Sequence, residues 1–168
     1  MRARLTALAG AISMVAFASG VGLASASTRS AGPQIEHFQL VTTSASAVTI
    51  PVVAYGLFTG RAVAVAGERA ITYRFADGSF QVFTSSGTGP SSFDTRTCLG
   101  FISQHGTYRL SHGTGKFAGI SGHGKFQADV RYIARRNARG TCSRHSVPTV
   151  FQEIFKASGP AQLRAPRR

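Results

Sequence analysis

Over residues 123–135 small or apolar side chains alternate with mostly polar ones: Gly124, Phe126, Ala128, Val130, Tyr132 and Ala134 fall on one side, Lys125, Gln127, Asp129, Arg131, Ile133 and Arg135 on the other. A period of two is that of a β-strand with one buried face. Over such a length the register is strongly set, because a slip of one residue would turn the whole apolar set into solvent. So long a strand needs long partners. Shorter alternations recur over residues 35–43, 49–58, 61–66, 97–103, 106–111 and 146–157, and no window sustains the 3.6-residue period of a helix. The clearest hairpin spans residues 71–84. Ile71, Tyr73 and Phe75 share one face, Asp77-Gly78 supplies the turn, and Phe80 and Val82 continue that face on the returning strand. Thr72, Arg74, Ser79 and Gln81 occupy the opposite, wet face.

These segments predict an all-β domain over residues 35–160, with about eight antiparallel strands closed into a calycin-like β-barrel. Glycine-rich corners favour a barrel over a sandwich, since closing a sheet at small radius requires bends that only glycine makes easily. Pro51 has no N–H to give a ladder and marks a strand start, an edge or a bulge. Residues 87–95 read as a surface loop, residues 135–146 as an arginine-rich loop, and residues 161–168 as a basic tail after Gly159-Pro160.

Residues 1–26 read as a signal peptide. Arg2 and Arg4 precede an uncharged, Ala-rich stretch from Leu5 to Leu23, and Ala24-Ser25-Ala26 is a small-x-small cleavage pattern. Cleavage near Ala26 is expected, with residues 27–34 a flexible N-terminal segment and the protein secreted. Gly10, Gly20 and Gly22, and the lack of a following basic cluster, weigh against a retained membrane anchor. In an oxidising compartment Cys98 and Cys142 are expected to form one disulfide.

The charge is large and unevenly placed. There are 19 Lys+Arg against 6 Asp+Glu, a net +13. Arg131, Arg135, Arg136, Arg139 and Arg144 fall in a stretch without an acid, Arg164, Arg167 and Arg168 lie in the tail, and the rest of the domain is nearly balanced. Two readings of the loop stay open: it binds an anionic surface such as a wall polymer, an acidic lipid head group or nucleic acid, or it is a solvated loop of a basic protein. Only Tyr132 interleaves these arginines, so specific nucleic-acid recognition is not expected.

The run from Gly113 to Phe126 is the most distinctive. Gly119 to Phe126 reads G-x-x-x-x-G-K, but Phe126 stands where a phosphate loop needs a hydroxyl for magnesium. Gly113-x-Gly115 lies among strands with no helix to receive a pyrophosphate. A turn, a short strand and another turn leading into the long strand fit better. Gly113-Thr114-Gly115-Lys116-Phe117-Ala118-Gly119 followed by Gly122-His123-Gly124 resembles the G-T-G-x-F-x-G-x-x-G-x-G corner of the allene oxide cyclase-like barrels, a superfamily shared with dirigent proteins. Tyr73-Arg74-Phe75-x-Asp77-Gly78-Ser79-Phe80 and the final run into Ala157-Ser158-Gly159-Pro160 add to the resemblance, which covers residues 35–163. It implies an eight-stranded barrel whose lumen takes a hydrophobic small molecule, and a trimeric homo-oligomer as in plant members. It carries no catalytic residue over to this chain.

On strict alternation Phe151, Glu153 and Phe155 share a face of the last strand. If that face points into the lumen, Glu153 is a desolvated acid, a candidate catalytic group or polar anchor, and Tyr73, Phe151, Glu153 and Phe155 are candidate ligand contacts. If the faces are reversed, or if Glu153 pairs with an arginine, it has no such role. Glu36, on the face of Phe38 and Leu40, carries the same ambiguity. The five histidines, His37, His105, His112, His123 and His145, show no metal-ligand spacing, so neither metal nor cofactor is expected. The function expected is binding of a small hydrophobic molecule in the lumen. An isomerase or cyclase using a lumen carboxylate, and a surface protein acting through the arginine loop, are the alternatives.

Overall fold

Alternating segments become strands wherever a neighbour can cover their apolar face. The computed structural model describes residues 32–85 and 87–164. The leader and the last tail arginines lie outside the described residues. Nine strands follow in order: β1 (Gln34–Thr42), β2 (Thr49–Tyr55), β3 (Gly60–Ala66), β4 (Ile71–Phe75), β5 (Gly78–Thr84), β6 (Ser91–Asp94), β7 (Leu99–Ser111), β8 (Ile120–Ala134) and β9 (Pro148–Leu163). All pairings are antiparallel. Neighbours run β1-β2-β3-β4-β5-β7-β8-β9 and return to β1, closing an eight-stranded barrel. β6 is an addition, pairing with the start of β7 while β5 pairs with its end.

The long alternating strand finds its long partners. β8 pairs with β7 from Leu99↔Ile133 to Leu110↔Gly122, and with β9 from Ile120↔Leu163 to Ala134↔Pro148. The β1–β9 ladder stops at Thr42↔Glu153, so β6, β7, β8 and β9 overrun the rest of the barrel as a four-stranded lip. Pro51 falls beyond the last β1–β2 pair, Leu40↔Val52, where its missing N–H costs that ladder nothing.

Inside the barrel the side chains are mostly rings. Phe38 lies at the centre, 5.5 Å from Tyr73, 5.9 Å from Phe80 and 6.0 Å from Tyr108, in the tilted and edge-on arrangements aromatic pairs prefer. Room for them comes from glycines on the neighbouring strand. A Cβ on Gly106 would stand 2.5 Å from the Phe126 ring, and one on Gly124 would stand 2.7 Å from the Tyr108 ring and run into the Ser158 carbonyl.

The glycine-rich run closes one end. Residues 115–117 form a 3₁₀ turn in place of the expected short strand, opened by Gly115 at φ 56° and followed by Gly119 at φ 79°. This drives Phe117 into the barrel, 4.6 Å from Phe75 and 4.9 Å from Phe58. Thr114 Oγ1 accepts the Ser79 N–H at 3.1 Å, the Lys116 N–H donates to the Asp77 carbonyl at 2.9 Å, and Lys116 Nζ pairs with the Asp77 carboxylate at 3.1 Å. The plug is thus clipped to the β4–β5 turn.

Several expected boundaries shift. Phe75 pairs with Gly78, so the two-residue turn is Ala76-Asp77, one residue earlier than the Asp77-Gly78 expected. The expected loop over residues 87–95 contains β6, because β7 extends far enough to offer it a ladder. Residues 97–103 and 106–111 are one strand, continuous through Gly106, since β8 pairs along its whole length. β9 continues through Gly159-Pro160 to Leu163, where Ile120 pairs with it, so the domain outlasts the expected boundary at residue 160.

Cys98 and Cys142 are bonded, with Cα atoms 5.7 Å apart, tying the β6–β7 turn to the loop after β8. By chain entropy a closed loop of this length contributes about 4 kcal/mol. Reduction should therefore lower Tm by roughly 10 °C or more for a domain of this size, read by calorimetry with and without a reductant. An unchanged Tm would show that the bridge adds no stability. Gly124→Ala should cost about 2 kcal/mol or more, because the Ser158 carbonyl is backbone and cannot swing aside. A denaturation midpoint equal to wild type would contradict that packing.

Candidate binding site at the open end of the barrel

The two ends of the barrel differ chemically. At the plugged end Phe117, Phe58, Phe75 and Phe80 pack ring to ring. At the other end the inward face continues along the lip, where no opposing strand covers it. β-register places two cross-strand rows there. The outer row holds Phe93, Gly100, Tyr132 and Phe151, and the next row in holds Ser91, Ile102, Val130, Glu153 and Thr42.

Gly100 lets the Tyr132 ring lie flat across the sheet: a Cβ there would meet the Tyr132 hydroxyl at 2.6 Å. Phe93 stacks on Tyr132 with centroids 6.2 Å apart, and the Tyr132 hydroxyl donates to the Arg144 carbonyl at 3.5 Å. A recess of about 230 Å³ is bordered by Phe93, Ile102 and Tyr132 together with Ser91, Arg144 and His145. Phe151 is half-buried beside Tyr132. Glu153 is also half-buried, one row deeper, and desolvation pushes its carboxyl above the usual range. Below it Phe155 is buried and stacks on Phe126 at 5.2 Å.

Phe151, Glu153 and Phe155 therefore share the inward face. Among the described residues the one salt bridge is Lys116–Asp77, so Glu153 is not paired with an arginine there. Tyr73 stands apart from this group: only 1% exposed, it is packed against Phe38 and Phe80 deep in the core, and burial raises its hydroxyl pKa. Sequence reasoning missed Phe93, Ile102 and Tyr132 as lining. Tyr132 and Ile102 carried a signal in their alternation with the neighbouring residues, whereas Phe93 lay in a segment read as loop.

The most deeply buried acid is Glu36, with no exposed surface. The Phe58 N–H donates to its Oε2 at 3.2 Å, while Oε1 and the Tyr108 hydroxyl are buried without partners among the described residues. Glu36 and Tyr108 lie in one cross-strand row with Gly159 and Gly124 between them, so no side chain intervenes. Desolvation raises Glu36 to about 7 against the lowering pull of the Phe58 and Leu57 N–H groups, and desolvation with the nearby Glu36 charge raises Tyr108 to about 12.

The loop arginines do not act alike. Arg136 donates to the Gly140 carbonyl at 2.6 Å and to the Arg96 carbonyl, so it ties the loop to the β6–β7 turn. Arg131 lies over the Phe101 ring at 6.0 Å on the outer face, and Arg135, Arg139 and Arg144 are exposed. His37 stacks on Tyr55 and His112 bonds to Ser111, and among the described residues no cluster of His, Cys, Asp or Glu is suited to a metal. No family model matches the chain, and neither curated proteins nor solved structures yield a match.

The buried carboxyl of Glu36 sets a pH dependence. Below about pH 4.5 it is neutral in folded and unfolded chains alike. Between there and about 7 only the folded chain holds the proton, so stability falls as pH rises through this window, by about 3 kcal/mol in all. Glu36→Gln keeps the shape without the charge and should flatten the profile of urea midpoint against pH. Parallel profiles for variant and wild type would contradict a raised Glu36 pKa.

Proposed function

We propose that this is a secreted β-barrel protein of the allene oxide cyclase-like and dirigent type that holds a small hydrophobic molecule at the open mouth of its barrel. The observation that carries this reading is the inward-facing set Phe151, Glu153 and Tyr132 on the lip, half-buried around a carboxyl of raised pKa. Binding sites of small molecules are concave and mostly apolar, with one or two polar groups to fix orientation, and barrel mouths commonly provide them. Rings from Phe155 downward occupy the lumen, so the ligand sits in the mouth and does not run the barrel's length. The leader pattern supports export, and the disulfide is compatible with it.

Isomerisation by the same carboxyl is the second reading. It is favoured by the upward shift of Glu153, which brings a carboxylic acid closer to the pH at which it can both give and take a proton.

The test uses N-phenyl-1-naphthylamine, a neutral apolar probe whose fluorescence rises on leaving water. The protein should bind it saturably. Phe151→Ala and Tyr132→Ala should each weaken binding about tenfold, the loss expected for one partly buried ring. Tyr73→Phe, in the packed core, should leave affinity unchanged. Equal affinity in wild type and both mouth variants would exclude the mouth as the site.

A further inference from the structure

The outer face of the lip carries a row of exposed aliphatic side chains with arginines around it. Leu99, Ile133 and Val150 lie side by side in one cross-strand row on β7, β8 and β9, and they are 50%, 40% and 56% exposed. Val147, 70% exposed, adjoins them: its carbonyl accepts the Arg135 N–H at 3.1 Å, which sets an apolar and a cationic residue next to each other at the tip. The neighbouring row pairs Phe101 with Arg131, whose guanidinium lies over the ring. A polar outward position needs no explanation, but contiguous aliphatic side chains this exposed at the end of a sheet do.

The charge around this patch is predominantly positive. Arg135, Arg139 and Arg144 are exposed on the loop that borders it, and Arg96 stands on the facing turn. Two carboxylates share this face and stay anionic: Asp94, exposed beside Leu99 in the same row, accepts the Arg96 N–H at 2.8 Å, and Asp129, four residues from Ile133 along β8, accepts from Ser103 at 2.6 Å and Gln127 at 2.9 Å; the arginines outnumber them. The disulfide and the Arg136 bond to the Arg96 carbonyl hold the loop against the turn, so the patch is presented on a fixed framework.

We infer that the lip docks on an anionic lipid bilayer, with Leu99, Ile133, Val147 and Val150 entering the head-group boundary and the arginines meeting lipid phosphates. The combination selects this occupant. A soluble polyanion would use the arginines and leave the aliphatic row wet, and a second copy of this chain would bring a second set of like charges against the first. A bilayer of acidic lipid satisfies both components at once. The inference is independent of whether a ligand occupies the mouth.

The test uses protein recovered from the medium of an expressing host, with its N-terminus and disulfide verified by intact mass. Co-sedimentation compares vesicles of phosphatidylglycerol and phosphatidylcholine in equal parts with vesicles of phosphatidylcholine alone. Binding should be strong to the former and weak to the latter, and should fall at about 0.5 M salt, where surface charge is screened. Leu99→Ser with Val150→Ser should reduce binding to the anionic vesicles about tenfold or more. Arg135→Gln with Arg139→Gln and Arg144→Gln should reduce it by at least about fivefold per arginine engaged and flatten the salt dependence. All these side chains are exposed, and the arginine variant carries the test alone if the aliphatic one fails to fold.

Equal binding to both vesicles, or to neither, would overturn the inference, as would variants that bind like wild type. Two other outcomes overturn it in favour of another occupant. Retention on a soluble polyanion that the serine variant keeps, without vesicle binding, would assign the arginines to a polymer. Concentration-dependent dimers abolished by Leu99→Ser with Val150→Ser, again without vesicle binding, would assign the face to a second copy.

Discussion

A barrel of eight strands has an interior barely wider than the side chains that line it, and this one meets the limit by setting rings against glycines. Phe126 lies over Gly106, Tyr108 over Gly124 and Tyr132 over Gly100, always from one strand onto its neighbour. Each ring lies along the wall where it would otherwise collide with those opposite, and the sum is a dense aromatic core with Phe38 at its centre. The same arrangement explains why an acid can be wholly buried. Glu36 sits in the row of Gly159 and Gly124, away from solvent and with no side chain between it and Tyr108, and two backbone N–H groups supply partial compensation for its lost hydration.

The plug and the lip follow from unequal strand lengths. At one end the short turn carrying Phe117 is enough to cover the rings. At the other, β7, β8 and β9 run on past β1, leaving an inner face with nothing opposite and two edges that the closed barrel does not have. Open edges invite pairing with other chains. Here β6 covers the β7 edge, and it is short and ends in Asp94 at a tight turn; the arginine loop is drawn to the same side, with Arg136 bonded to the Arg96 carbonyl. The disulfide fixes that loop to the β6–β7 turn, so the covalent tie falls on the overhang, which has no opposing strand.

Much of this was legible in the chain. The alternation in β8 announced a long, one-sided strand, and the glycine corners announced closure. What stayed hidden was contact that alternation cannot express. Residues 87–95 carry every mark of a loop, yet Phe93 pairs into β6 because β7 happens to extend beneath it. Gly159-Pro160 looks like an ending, but Pro160 has no ladder N–H to lose at a point where the strand is held on both sides by β1 and β8. Tyr73 reads as a ligand contact from its neighbours in sequence and becomes core only because Phe38 and Phe80 arrive from two other strands. Glu36 and Glu153 have indistinguishable local patterns, each an acid alternating with apolar residues. Depth along the barrel separates them, and depth is a property of the closed sheet.

That separation decides which acid can meet a partner molecule. Glu36 is sealed beneath Phe58 and its loop, so any species reaching it must first displace core rings, and its raised pKa acts on stability. Glu153 has a milder desolvation and a face toward the mouth, so a change in its proton reaches whatever lies between Phe151 and Tyr132. The positive charge divides in the same way. Arg136 is spent on two backbone carbonyls and serves the fold, while Arg135, Arg139 and Arg144 keep their charge in solvent. A chain-wide net charge of +13 therefore says less than the position of three free arginines beside an exposed aliphatic row, at the same end of the barrel as the mouth.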